Sequence, residues 1–104
     1  MHPAKLFLSI FFFSQSIFAQ PTFTENIIST NTSGPVSVYA TDVDGDGDMD
    51  VLSASSYDDK IAWYENDGNQ VFTEQVITTN ADGAKSVYAT DVDGDGDMDV
   101  LSAS

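Results

Sequence analysis

The chain carries the same fifteen residues twice. TDVDGDGDMDVLSAS runs from Thr41 to Ser55 and again, unchanged, from Thr90 to Ser104, at an offset of 49 residues. The likeness continues upstream: Phe23-Thr24-Glu25 returns as Phe72-Thr73-Glu74, Thr30-Asn31 as Thr79-Asn80, and Ser37-Val38-Tyr39-Ala40 as Ser86-Val87-Tyr88-Ala89. A period of this length marks a duplicated supersecondary unit. Such a unit cannot bury its own apolar faces and has to stack against its copies.

The unit reads as strands. Ser37–Thr41 (SVYAT) is short, β-branched and aromatic. Asp50–Ser55 (DVLSAS) alternates, with Val51 and Ser53 on one face and Leu52 and Ala54 on the other. A turn at Tyr57-Asp58-Asp59 leads to Lys60–Glu65, where Ile61 and Trp63 oppose Ala62 and Tyr64. Asn66-Asp67-Gly68-Asn69 is a hairpin signal, because Asp-Gly accepts positive φ. Gln70–Ile77 is then a fourth strand, and a run around Asn80–Gly83 leads into the next unit. No window carries helical periodicity. The expected class is all-β: β-propeller blades of four antiparallel strands. Thr22–Ser29 matches the fourth strand, so the phase predicts an orphan fourth strand, one complete blade, and the first two strands of another. Closing a propeller takes more blades, supplied by further repeats in the same chain or in other copies. The expectation is therefore an N-terminal fragment of a longer protein.

Between the first and second strands of each unit lies an acidic loop, residues 42–50 and 91–99. Together they hold ten of the seventeen Asp and Glu residues. Carboxylates at positions 1, 3 and 5 of a turning loop converge, Gly at position 6 permits the bend, and position 7 offers its carbonyl. This assigns Asp42, Asp44, Asp46, Asp48 (through its backbone oxygen) and Asp50 to one metal, and Asp91, Asp93, Asp95, Asp97 and Asp99 to a second. An all-oxygen, His-free donor set fits calcium and is a poor match for zinc or copper. Magnesium and a solvated acidic turn are the other readings of the same residues. The loop begins like an EF-hand but departs from one: position 12 is Ser53, not Glu, and strands flank it.

The rest of the composition excludes more than it assigns. A formal net charge of −14 gives no basic face for nucleic acid. No Cys is present, and the only His is His2. There is thus no disulfide framework and no thiolate nucleophile. The 41% hydrophobic content is too high for a disordered acidic tail. Residues 1–19 read as a secretory signal peptide: Lys5, then the apolar run Leu6–Phe13, then Ala19 before the cut. That run is far shorter than the roughly 20 residues of a spanning helix. The mature region is then residues 20–104, exported, with no membrane insertion after cleavage. Millimolar calcium is an extracellular condition, which agrees with export.

The D-x-D-x-D-G-x-x-D loop, its S-V-Y-A-T-D lead-in and the following I-A-W-Y-E-N-D-G resemble FG-GAP/VCBS-type repeats, found in secreted bacterial proteins and, more distantly, in the integrin α-subunit propeller. The Phe-Gly and Gly-Ala-Pro signatures of the integrin repeats are absent; Ser33-Gly34-Pro35 is a faint echo. The resemblance covers Thr22–Ser104. It implies a calcium-stabilised propeller displayed outside the cell, with the ten Asp residues above as ligands. The function expected from it is non-catalytic binding of an extracellular protein or glycan, as in adhesion. Two alternatives stand beside it: the propeller part of a secreted polysaccharide-acting enzyme whose catalytic residues lie elsewhere, and a structural or self-assembling repeat. Among single residues, Trp63 and Tyr64 are expected to divide between inter-blade packing and an outer edge. The repeated Tyr39 and Tyr88 have a structural role, and Lys60 and Lys85 are solvated.

Overall fold

The computed structural model describes residues 20–104. The leader read in residues 1–19 lies outside them. Six strands follow in order: β1 Pro35–Thr41, β2 Asp50–Ser55, β3 Lys60–Asn66, β4 Phe72–Thr78, β5 Ser86–Thr90 and β6 Asp99–Ala103. β1 to β4 form one antiparallel sheet in chain order, and β5 pairs with β6 in a second. The fold is thus all-β, with one complete four-stranded unit and the first hairpin of the next. Among the described residues no helix is long and apolar enough to cross a membrane.

Two sequence expectations change in the structure. Residues 20–29 form no strand, although Thr22–Ser29 matches the β4 sequence. A strand needs a ladder partner, and β3, the third strand of the complete unit, already pairs with β4. The fourth strand also begins later than Gln70. That residue has φ of 65° and closes the turn, whereas Asp67 does not take positive φ. The turn is held instead by side chains: Asn66 Oδ1 accepts the Gly68 and Gln70 N–H groups, and Asp67 Oδ1 accepts those of Asn69 and Val71.

Strand alternation decides what is buried. Register places Tyr39 beside Leu52 and Leu52 beside Trp63, with Ala54 beside Ile61. These residues form one face of the first sheet. Leu52, Ala54 and Ile61 are fully buried there against Val87 and Ala89 of β5 and against Ala81 and Ala84 of the connection, with Trp63 and Val100 at the margin. Each large aliphatic side chain buried in this way contributes about 1.5–3 kcal/mol. Tyr39 meets Tyr88 across the two units, with ring centroids 4.6 Å apart and planes tilted by 52°. Tyr64, on the opposite face beside Val51, is buried rather than at an outer edge, and its hydroxyl lies 3.4 Å from Ser53 Oγ.

The β2–β3 turn is more than a surface loop. Asp59, with φ of 53°, accepts the Ala81 N–H on its carbonyl and the Gly83 N–H on its carboxylate, which pins the connection between units. On the other side, the Ser56 and Tyr57 N–H groups donate to the Gly34 and Ser33 carbonyls. Gly34 and Gly83 occupy equivalent positions and both take positive φ. A Cβ on Gly34 would meet the Tyr57 ring at 2.8 Å, whereas one on Gly83 would meet nothing. Gly83→Ala should therefore cost only backbone strain, on the order of 1–3 kcal/mol. Gly34→Ala should cost more than Gly83→Ala. Urea unfolding of the two variants checks this, and equal losses would show that the ring yields freely.

Lys60 also departs from expectation. It is 6% exposed rather than solvated. Its ammonium donates to Glu74 Oε2 at 2.9 Å and to the Asn31 carbonyl, and sits 3.8 Å from Asp58 Oδ2. Asn31 Nδ2 in turn donates to Glu74 Oε1. Lys60 thus ties β3, β4 and the segment before β1 together. Lys85 is exposed, as expected.

Candidate metal centre

Each acidic loop is built by its own first residue. Asp42 Oδ1 accepts the Gly45 and Asp46 N–H groups at 2.8 and 3.1 Å, and its Oδ2 accepts Gly47 N–H at 2.9 Å. Asp91 repeats this with Gly94, Asp95 and Gly96 at 2.7, 3.1 and 2.8 Å. Gly45 and Gly47 have φ of 78° and 92°, and Gly94 and Gly96 have 77° and 94°. These left-handed positions let successive amides turn toward one carboxylate. Side chains there would be strained.

The last residue of the loop is anchored from outside it. Asp50 is fully buried and accepts Val43 N–H at 3.0 Å on Oδ2 and Asn66 N–H, from the end of β3, at 2.8 Å on Oδ1. Asn66 Nδ2 also donates to the Met49 carbonyl. Sequence reading missed this role of Asn66, although its place opening the hairpin turn was visible. Asp99 keeps the equivalent bond from Val92 N–H at 2.8 Å and is half-buried.

The structure gathers carboxylate oxygens of Asp42, Asp44 and Asp50 within 4.8 Å of one another, and likewise Asp91, Asp93, Asp95 and Asp99. Asp46 stands outside the first group while its copy Asp95 joins the second. The hydrogen bonds do not explain the difference, since each accepts the amide two residues on. The carboxylates of Asp48 and Asp97 belong to neither group. Asp48 turns its carboxylate toward the Gly68 turn.

The electrostatics are uneven. The Gly47 N–H, with help from Gly45 and Asp46, holds the Asp42 carboxyl below the usual range, and Gly96 does the same for Asp91. Asp44 moves the other way: loss of solvent and the charges of Asp46 and Asp50 push it up. An oxygen-only cluster under mutual repulsion, at a solvent-facing loop, is chemically suited to a hard divalent cation. Either group could hold one.

The FG-GAP-like repeat family matches the chain twice, over residues 14–53 and 42–102. No curated protein and no solved structure matches it. The second match takes in both acidic loops and the strands β2 to β5 between them. With its period, its antiparallel units and its acidic loops, the chain belongs to the FG-GAP-like repeat family and is a β-propeller-like repeat module.

Proposed function

We propose that this chain is a secreted, calcium-binding β-propeller repeat module that binds an extracellular protein or glycan and has no catalytic role of its own. One observation carries the metal: the carboxylates at positions 1, 3 and 9 of both loops converge although they repel. Asp42, Asp44 and Asp50 would hold one calcium and Asp91, Asp93, Asp95 and Asp99 the other. Asp46, the backbone oxygens of Asp48 and Asp97, and water would complete the shells. Calcium would neutralise the loops and couple ion binding to folding. The binding role rests on family likeness and on the leader-like residues 1–19. The mature region has no His, Arg or Cys with which to do chemistry.

Calorimetric titration tests the metal. Asp44→Ala is expected to lower calcium affinity at the first site about tenfold or more, as loss of a charged ligand does. Asp82→Ala, an exposed acid in the connection, should leave it unchanged. Equal effects would mean that bulk charge holds the ion. Retention of the calcium-loaded protein on immobilised extracellular-matrix proteins or glycans, lost in chelator, tests the binding role. Absence of retention on every surface would count against it.

A further inference from the structure

The chain has no Cys, so oxidation cannot join its two units through sulfur. It does hold a pair of phenols where the units meet. Tyr39 stands within β1 and Tyr88 at the centre of β5. Antiparallel ladders fix both backbones, with Tyr39 beside Leu52 and Tyr88 beside Leu101. The ring centroids are 4.6 Å apart, at the short end of the range of about 4.5–7 Å for aromatic pairs, and the planes are tilted by 52°. The Tyr88 hydroxyl, as a hydrogen-bond partner, raises the Tyr39 pKa, so the hydroxyl ends of the two rings are neighbours. On each ring the ortho carbons flank the carbon that bears the hydroxyl, and they are brought together with it. The other tyrosines are placed differently. Tyr57 is exposed, with its ring against Gly34, and Tyr64 is buried with its hydroxyl beside Ser53 Oγ.

We propose that Tyr39 and Tyr88 form a site of oxidative cross-linking, at which a one-electron oxidant joins the two repeat units through a carbon–carbon bond between the rings. The oxidant takes one electron from each phenol, and each phenol releases its hydroxyl proton. The unpaired electron of each phenoxyl radical is shared with the ortho carbons. One ortho carbon of each ring contributes its unpaired electron to the new bond. The hydrogen on each of these carbons then moves, as a proton, to the phenol oxygen and restores both aromatic rings. In sum one C–C bond forms, two C–H bonds break, two electrons pass to the oxidant and two protons are released. The pairing is specific because the two rings are already in contact, whereas a radical on any other tyrosine has to find a partner. The link would do for a Cys-free chain what a disulfide does in many secreted domains, holding two units together against unfolding. It needs neither the metal nor an open face, because both tyrosines belong to a contact within the chain.

Brief illumination of the dilute chain with tris(bipyridyl)ruthenium and persulfate, which together supply a one-electron oxidant, tests this. The expected product is a single chain, lighter than its parent by two hydrogen atoms, with the blue fluorescence of dityrosine. Peptide mapping should join the segment that holds Tyr39 to the segment that holds Tyr88. Tyr39→Phe and Tyr88→Phe should each lose the product, because phenylalanine keeps the ring but forms no phenoxyl radical. Circular dichroism would verify that the sheets are kept. Tyr57→Phe should leave the yield unchanged. The chain unfolded in urea should give much less, because the two tyrosines are 49 residues apart and only the fold brings them together. Absence of the linked single chain, while free tyrosine in the same mixture is converted, would overturn the proposal. So would a link mapped to another pair, or an equal yield in urea.

Discussion

Millimolar calcium should raise the unfolding midpoint of the chelated protein by about 10 °C or more, read by calorimetry or circular dichroism. One site at about a hundredfold excess over its dissociation constant adds about 2.7 kcal/mol, and in a domain of this size each kcal/mol shifts the midpoint by about 4–8 °C. The source of the effect is specific. Asp50 is buried with both oxygens already hydrogen-bonded, so its charge cannot escape to solvent. Asp44 is pushed up by loss of solvent and by its neighbours' charges. A bound cation relieves both, and the unfolded chain, with its carboxylates dispersed, binds it weakly. Sodium chloride at matched ionic strength should produce far less, since screening does not gather ligands. A midpoint that responds equally to both salts would remove the metal from the account of stability.

Lys60→Ala should be the most damaging single substitution outside the loops, costing about 3–5 kcal/mol if the pair behaves as fully buried and somewhat less because Glu74 keeps partial contact with water. The substitution leaves Glu74 and the Asn31 carbonyl without their cation. Lys85→Ala, at an exposed site, should move the urea midpoint very little. A pH series adds a second readout. Burial alone would lower the Lys60 pKa, but the hydrogen bond and charge of Glu74 outweigh it and raise it. A raised folded pKa means a contribution fully present below the unfolded value of about 10.4 and lost as pH climbs through the folded value. Tyrosines ionise in the same range, so the informative quantity is the difference between wild type and Lys60→Met. That difference should shrink toward strongly alkaline pH; a constant difference would show that Lys60 acts by packing alone.

The strands were legible because alternation and turn residues act locally. SVYAT, DVLSAS and KIAWYE appear as β1 or β5, β2 and β3 with small changes at their ends. The acidic loops were legible in the same way: spacing along nine residues picks out the carboxylates at positions 1, 3 and 9 that meet in both loops, but not the difference between Asp46 and Asp95. What sequence reading missed depends on partners distant in the chain. Thr22–Ser29 has the composition of a fourth strand, but β3, the third strand that such a strand pairs with, is already taken by β4. Lys60 looked solvated because its acceptors, at Asn31 and Glu74, are far from it in sequence. Tyr64 was assigned by alternation to the right strand face, but nothing local shows that this face is covered. Asn66 looked like a turn residue and is also the outer support of Asp50.

The unchanged repeat has a further consequence, in the order of events by which the chain acquires its structure. β3 pairs with β2, yet β6 presents the same residues to it, so side chains cannot tell β3 which partner is correct. Distance along the chain can. Four residues separate β2 from β3, whereas 32 separate β3 from β6. Three doublings of loop length disfavour the distant pairing by about 1.8 kcal/mol, roughly a twentyfold bias toward the local one. Fidelity of assembly thus rests on the brevity of the Ser56–Asp59 turn. Lengthening that turn with a flexible insert would erode the bias and let strands exchange, turning a correctly ordered array into a scrambled one without altering a single buried contact.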